Sequence, residues 1–359
     1  MSLTMPLVWS ERHRLHIPGG EVWLGVRTPG TEVAERVERI RTTLEGAGRR
    51  FLDAAEHPDD GALALHDPGL VSHLSRAWLE WEGEGLTADP GQDRVVPYLF
   101  AHPGLLGGLE PSAPGTVAAA AGLYCYDTMT LIGPGTWEAA RAALDTALTA
   151  AELVAGGEPA AYACCRPPGH HAARSAFGGS CYLNNSAAAA ARLRGTAGET
   201  VAVLDIDAHH GNGTQTIFYE DPGLMTGSVH ADPAEGWFPH FLGHAAERGR
   251  GPGAGSNLNL PLEPGADDGP WLEAVERLAG WAAGAGARAL VVALGVDAAE
   301  GDPESPLRVS PEGYRTAGET LGALGLPTVI VQEGGYDLGA IGPLVLATLE
   351  GFERGAGLS

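Results

Sequence analysis

The sequence predicts an α/β fold built on a single open, mostly parallel sheet with helices on both faces. Two observations predict it. Short apolar runs alternate with longer amphipathic ones through the carboxyl-terminal half, and four of the short runs end abruptly in Asp, His, Glu, Gly and Tyr. A short run without polar alternation is a strand buried on both faces, and amphipathic crossovers between such strands make them parallel. With 359 residues, 44% of them hydrophobic, the chain has material for a large core and reads as one domain over residues 1–359.

In chain order, the apolar run from Leu3 to Ser10 is an expected first strand, followed by a loop through Pro18-Gly19-Gly20. Thr31 to Glu45 is an expected helix with Val33, Val37, Ile40 and Leu44 on one face and charges on the other. Pro68 to Glu82 repeats that pattern with Leu70, Leu74, Trp78 and Trp81, and Gly83 and Gly85 stop it. Residues 86–121 are rich in Gly and Pro, poor in charge and without periodicity, and are expected to form a long loop of the kind that serves as a lid or an interaction surface. A helix follows from Thr136 to Val154. Strands are then expected at about 160–165, 201–206, 289–296 and 327–332, and helices at about 184–194, 270–283, 311–323 and 340–353. Ser310-Pro311 supplies an N-cap and a proline at the first helical position.

Charge narrows the partners. Lys and Arg number 22 against 45 Asp and Glu, a formal charge of −23, which argues against nucleic acid and against an anionic membrane surface. The same charge would favour a cationic substrate, but general solubility, or the habitat of the source organism, is the simpler reading of it. Cys125, Cys164, Cys165 and Cys181 show no C-x-x-C spacing and sit in apolar surroundings, as reduced core residues of a cytoplasmic protein do. No signal-peptide pattern stands at residues 1–20, and no run of 18 apolar residues occurs.

The chemistry gathers at the four strand ends. The 160–165 run leads into RPPGHH with tandem His170 and His171; Val201 to Ile206 leads into Asp205, Asp207, His209 and His210; the 289–296 run meets Asp297 and then Asp302; the 327–332 run meets Glu333-Gly334-Gly335-Tyr336. Ligands of open α/β sheets bind outside the carboxyl ends of the strands, so one edge receives all four. Asp207 and His209, two positions apart, can point the same way, and Asp297 adds a second carboxylate. Two carboxylates and one imidazole leave a coordination position open, which is a catalytic arrangement. A divalent ion there would lower the pKa of a bound water toward about 7 and polarise a carbonyl. Such chemistry needs a base, for which His170 and His171 are candidates, and a donor for the developing oxyanion, for which Tyr336 is the candidate. Asp205 and Asn212 are free at the right strand end to orient the imidazoles.

These motifs resemble the histone deacetylase and acetylpolyamine amidohydrolase superfamily. RPPGHHA, FGGSCYLNNSA, LDIDAHHGNGTQ, GVDAAEGDP and EGGYD follow its order, while PGTWEAA, HADPAEGWFPHFLG and HDPGLVSHLSRAW are similar to the bacterial acetylpolyamine amidohydrolases. The resemblance implies the arginase/deacetylase type of fold, one Zn²⁺ per chain at Asp207, His209 and Asp297, and a structural monovalent cation such as K⁺. It implies His171 as general base and acid with His170 as its electrostatic partner, Asp205 behind His170, Asn212 behind His171, and Tyr336 polarising the scissile carbonyl. It places Phe177, Gly179, Ser180, Trp237, Phe238 and Glu304 around the substrate, and it implies a homodimer built from the 86–121 loop. Two-manganese ureohydrolases similar to arginase share the fold, but the tandem histidines and the Gly-Gly-Tyr ending are not theirs.

Three departures bear on substrate. Ser180 stands where polyamine-type relatives usually carry an aromatic tunnel wall, although Phe238, with Trp237 beside it, keeps the opposite wall. Residues 95–121 contain a single acidic residue, Glu110. Glu304 follows Asp302-Pro303, where some polyamine-selective relatives place a gatekeeping carboxylate. The expected activity is therefore zinc-dependent removal of an acetyl or related acyl group from an amine, with an acetylpolyamine-like substrate first. A deacylase of acetyl-lysine or of a bulkier secondary-metabolite amide is second, and a silent ligand-binding homologue third.

Overall fold

The computed structural model describes residues 4–58, 63–88, 92–112, 114–197 and 200–358. Leu3 of the expected first strand, and residues 89–91 and 113 of the expected loop, lie outside the described residues. The strands in chain order are β1 (Leu7–Trp9), β2 (Glu21–Trp23), β3 (Val26–Thr28), β4 (Phe51–Asp53), β5 (Ala160–Ala163), β6 (Val201–Asp205), β7 (Leu224–Ala231), β8 (Asn257–Leu262), β9 (Ala289–Leu294) and β10 (Thr328–Gln332). Eight of them form one sheet in the order β4-β1-β5-β10-β9-β6-β7-β8 with every neighbouring pair parallel, while β2 and β3 make a separate antiparallel hairpin. The four strands expected to carry the chemistry, β5, β10, β9 and β6, are consecutive in that order. Their carboxyl ends therefore share one edge.

The helices are α1 (Glu35–Gly46), α2 (Pro68–Gly83), α3 (Pro103–Leu106), α4 (Val117–Tyr124), α5 (Thr136–Ala155), α6 (Asn185–Ala197), α7 (Asn212–Phe218), α8 (Asp268–Gly284), α9 (Pro311–Gly322) and α10 (Ile341–Gly355). Alternation along β9 distributes them between the faces. Leu290, Val292 and Leu294 pack with Ile40, Trp271, Leu278, Leu321 and Leu349 of α1, α8, α9 and α10, whereas Val291 packs with Ala143, Ala147, Ala187 and Leu193 of α5 and α6. Alanine on the second face lets helix and sheet approach closely. Burying each Leu, Val or Ile of these layers stabilises the fold by about 1.5–3 kcal/mol. Asp67 caps α2 through the Gly69 N–H at 2.7 Å, and Ser310 caps α9 through the Gly313 N–H at 3.1 Å.

Several elements differ from expectation. The 86–121 stretch is not a bare loop, because it contains α3 and the start of α4, with Val95 and Val117 buried beside α2. Strands β7 (LMTGSVHA) and β8 (NLNLPL) escaped the periodicity because Thr226, Ser228, His230, Asn257 and Asn259 interrupt the apolar pattern with buried polar groups. Pro261 is tolerated because β8 is an edge strand. The four cysteines are free and buried, and no helix among the described residues is long and apolar enough to cross a membrane.

Candidate active site

Asp207, His209 and Asp297 come from the ends of β6 and β9, and one ligand atom from each lies within 4.8 Å of the others. His209 Nδ1 faces two carboxylate oxygens, Asp207 Oδ1 at 3.2 Å and Asp297 Oδ2 at 3.0 Å. The remaining carboxylate oxygens accept backbone N–H groups, Asp207 Oδ2 from Gly334 at 2.7 Å and Asp297 Oδ1 from Ala208 at 2.8 Å. Each acid is thus oriented with one oxygen toward the imidazole. Glycine is required around them, since a Cβ at Gly295 or Gly334 would collide with the Asp207 carboxylate. Burial opposes charge on Asp207, but His170 and His209 overcome it and hold its pKa below the usual range. Burial, reinforced by Asp207, pushes Asp297 up to about 7. This set of one nitrogen and two buried acidic oxygens fits a divalent cation. A second cluster, His170, Cys181 and Glu333, is held differently. Its Glu333 carboxylate is already committed to Gly169 N–H at 2.6 Å, His170 N–H at 3.1 Å and Ser186 O–H at 2.7 Å.

The tandem histidines lie against the triad with ring centroids 4.0 Å apart. His170 Nδ1–H donates to Asp205 Oδ2 at 2.9 Å, and His171 Nδ1–H donates to Asn212 Oδ1 at 2.7 Å. Those bonds leave the two Nε2 atoms free of the orienting partners. The partners differ in charge, and the imidazoles follow. Burial disfavours charge on His170, but Asp205 and Asp207 overcome it and push its pKa up to about 10. Burial, with His170 and His209 adding repulsion, pushes His171 well below the ordinary imidazole value. The two rings are therefore biased in opposite directions, His170 toward the cation and His171 toward the neutral form.

Tyr336 approaches from the turn after β10. Its N–H and that of Asp337 donate to Asp302 Oδ2 at 2.7 and 3.1 Å, so the loop after β9 holds the turn after β10. Arg36 holds the turn from the other side: its guanidinium lies 4.7 Å from the Tyr336 ring centroid, donates to Gly335 O at 2.6 Å, and donates to the Glu333 carbonyl. The amphipathic pattern of the first helix predicts a solvated face for its charged residues, yet Arg36 is buried. Burial raises the Tyr336 pKa well above the ordinary phenol value, so its O–H is kept as a donor.

A cavity of about 320 Å³ opens onto these groups, lined among others by His171, His209 and Tyr336. Gly179, Ser180, Trp237, Phe238 and Glu304, expected around the substrate, all line it. Phe177 does not: it is buried, stacks on Tyr182 with centroids 5.6 Å apart, and joins the cluster of α2 and α5. The resemblance places it around the substrate, but in the structure its side chain packs into the core and not on the cavity. Phe238 stands edge-on to His171 with centroids 4.8 Å apart. Glu304 is half-buried and accepts the Thr31 hydroxyl at 2.8 Å. A second carboxylate at the cavity, Glu21 of β2, was missed by the sequence reading, as was Trp23 two residues on. The EVW triplet between Gly-Gly and Leu-Gly was a strand signal too short to register.

The fold and this constellation, an acid–imidazole cation site beside paired histidines and a tyrosine, define a class of metal-dependent hydrolases. The chain belongs to the histone deacetylase family: the histone deacetylase domain model matches residues 30–352. It is similar to an acetylpolyamine amidohydrolase of Mycoplana ramosa, with 40% identity over 97% of this chain and 99% of that protein. It is also 37% identical to acetylpolyamine amidohydrolase 1 of Pseudomonas aeruginosa over 97% of this chain and 99% of that one. The crystal structure of an acetylpolyamine aminohydrolase from Burkholderia pseudomallei superposes with a TM-score of 0.92 at 35% identity, covering 98% of this chain and 99% of that one.

Proposed function

We propose that the chain is a zinc-dependent amidohydrolase that removes an acetyl group from an acylated amine, with acetylpolyamines as the first substrate class. The observation that carries this reading is that the Asp207, His209 and Asp297 cluster reaches, through His209, the same cavity that His171 and Tyr336 line. Asp207, His209 and Asp297 would hold the zinc, which when bound supplies an activated water and a Lewis acid for the amide carbonyl. His171, neutral and oriented by Asn212, takes the proton at Nε2 and returns it to the departing amine nitrogen. His170, oriented by Asp205 and biased toward the cation, is the electrostatic partner beside that transfer. Tyr336 donates its O–H to the oxyanion that forms as the carbonyl is attacked. Every role of the constellation is filled, so the silent ligand-binding alternative finds no missing group to rest on. A structural K⁺ remains an expectation of the resemblance.

Glu21 and Glu304 at the cavity favour an amine that keeps a second positive charge, as an acetylated diamine does. One observation favours the second reading, a bulkier amide: Ser180 lines the cavity where an aromatic wall would stand, and Met129 lies with it. An aromatic wall excludes bulk because it leaves no space beside a slender chain. A panel of acetylated diamines, acetyl-lysine peptides and aromatic amides tests the two, with Ser180→Tyr beside the wild type. The variant is expected to raise the kcat/KM preference for linear acetylated diamines. A wild type already preferring them by orders of magnitude overturns the open-wall reading, and no turnover of any amide overturns the first.

A further inference from the structure

Ser180 adopts the left-handed region at φ +60°, directly after Gly179 at +58°. For serine that conformation costs about 1–2 kcal/mol, so something must hold it. Two side chains on the turn after Cys125 do. Asp127 Oδ2 accepts the Gly179 N–H at 2.6 Å, and Thr130 Oγ1 accepts the Ser180 N–H at 2.9 Å. Thr130 spends its own hydroxyl proton on Asp127 Oδ2 at 3.1 Å, which leaves its lone pairs for Ser180. Asp127 Oδ1 accepts the N–H groups of Met129 at 2.9 Å and Thr130 at 2.8 Å. Burial pushes the Asp127 pKa up, and these donors pull against that rise.

Neither side chain lines the cavity, whereas the two residues they hold do. Gly179 is pressed between the His171 and Phe238 rings, where an added Cβ would strike both. The opposite wall has a separate anchor: Glu247 Oε2 accepts the Gly243 N–H at 3.0 Å and a Gln215 side-chain N–H at 2.6 Å. The Phe238 loop thus has an anchor outside the 126–131 turn, while the Tyr126 ring beside Asp127 stacks on Phe238 itself with centroids 6.4 Å apart.

We propose that Asp127 and Thr130 are positioning residues that fix the width of the slot between Gly179–Ser180 and Phe238, and with it the preference for slender over bulky acylated amines. The inference rests on the amidohydrolase reading of the cavity. A preformed slot binds a thin chain without ordering cost, while a slack one loses that advantage for thin chains and not for thick ones.

Thr130→Val removes the acceptor for Ser180 at nearly constant volume, and Thr130→Ser keeps it. The measurement is the ratio of kcat/KM for acetylputrescine over that for an aromatic acetamide, with metal content and Tm recorded. The ratio is expected to fall by about threefold to tenfold in Thr130→Val, the scale of one lost hydrogen bond, through KM rather than kcat, and to return in Thr130→Ser. Asp127→Asn, which sets an amide donor or a single acceptor against the Gly179 N–H, is expected to shift the ratio the same way. A ratio that stays put in Thr130→Val, or kcat lost equally on both amides, overturns the inference while leaving the amidohydrolase reading intact. Calorimetric binding of a slender and a bulky hydroxamate to the zinc-loaded protein yields the same ratio without turnover. A chain that hydrolyses neither amide yet shows the shift in binding loses the activity reading and keeps the slot.

Discussion

Asp207 has both carboxylate oxygens committed, to the His209 N–H at 2.9 Å and to the Gly334 N–H at 2.7 Å, and is fully buried. Its removal leaves those two backbone donors unpaired and takes one of two carboxylates from His209, which keeps only Asp297 at 3.0 Å. Asp207→Ala and His209→Ala are expected to lose both bound metal and activity, measured by elemental analysis and amide hydrolysis; full occupancy in Asp207→Ala would sink the ligand assignment. Tyr336 is separable from the metal. Tyr336→Phe is expected to keep metal and Tm while kcat falls by about 10²-fold or more, the scale for an oxyanion donor, and His171→Ala to be at least as damaging. Near-normal turnover in the Phe variant would make Tyr336 a structural cap on Arg36. These residues were legible in the sequence because their chemistry is contiguous, as in HH and DxDxHH, and because parallel strands must deliver it to one edge. Asp127 and Arg36 were not legible. Each acts on a turn far away in sequence, as when Arg36 fixes Gly335, and only packing brings such pairs together.

At the scale of elements, the β2–β3 hairpin adds a titrating group to the cavity. Burial first, and then the neighbouring charges of Glu304, Asp127 and Glu32, push the Glu21 pKa up to about 7, against a pull from the Thr31 N–H. A carboxyl whose pKa is raised on folding contributes stability that is full below its unfolded value of 4.5 and is lost as the pH rises through about 7. Glu21→Gln is therefore expected to melt with the wild type at pH 4 and above it at pH 8. For a cationic acetylated amine the order is reversed, since the wild type gains a charge above pH 7 that the variant lacks. Its KM should improve with pH relative to Glu21→Gln, and parallel profiles in both measurements would remove Glu21 from the cavity's electrostatics. The hairpin was illegible for the reason that makes it useful: three-residue strands carry too little pattern to detect and too few bonds to stand alone. This one is stitched to the 126–131 turn by the Val22 N–H to Thr128 O at 3.2 Å. The strands β5, β6, β9 and β10 were legible because both of their faces are buried and nothing polar interrupts them.

At the scale of the whole molecule, the stretch around α3 leaves Tyr98, Leu99, Leu105 and Leu109 exposed. Apolar side chains gathered on one segment mark an association surface. A homodimer formed through residues 86–121 is the expected state at micromolar concentration, and light scattering that gives one chain mass would contradict it. Tyr98→Asp with Leu105→Asp is expected to shift the equilibrium toward monomer.

The sheet order has a consequence for synthesis. Strand β10 is the last to leave the ribosome, yet it lies in the interior of the sheet, between β5 and β9. Until residue 332 emerges, the nascent chain can hold only two half-sheets, β4-β1-β5 and β9-β6-β7-β8, each ending in a bare, apolar edge. The histidine pair rides on one half and the Asp207, His209 and Asp297 set on the other. The closing strand zips them together and delivers Tyr336 in the same event, so a ribosome stalled before it holds a polypeptide with adhesive edges and no assembled centre.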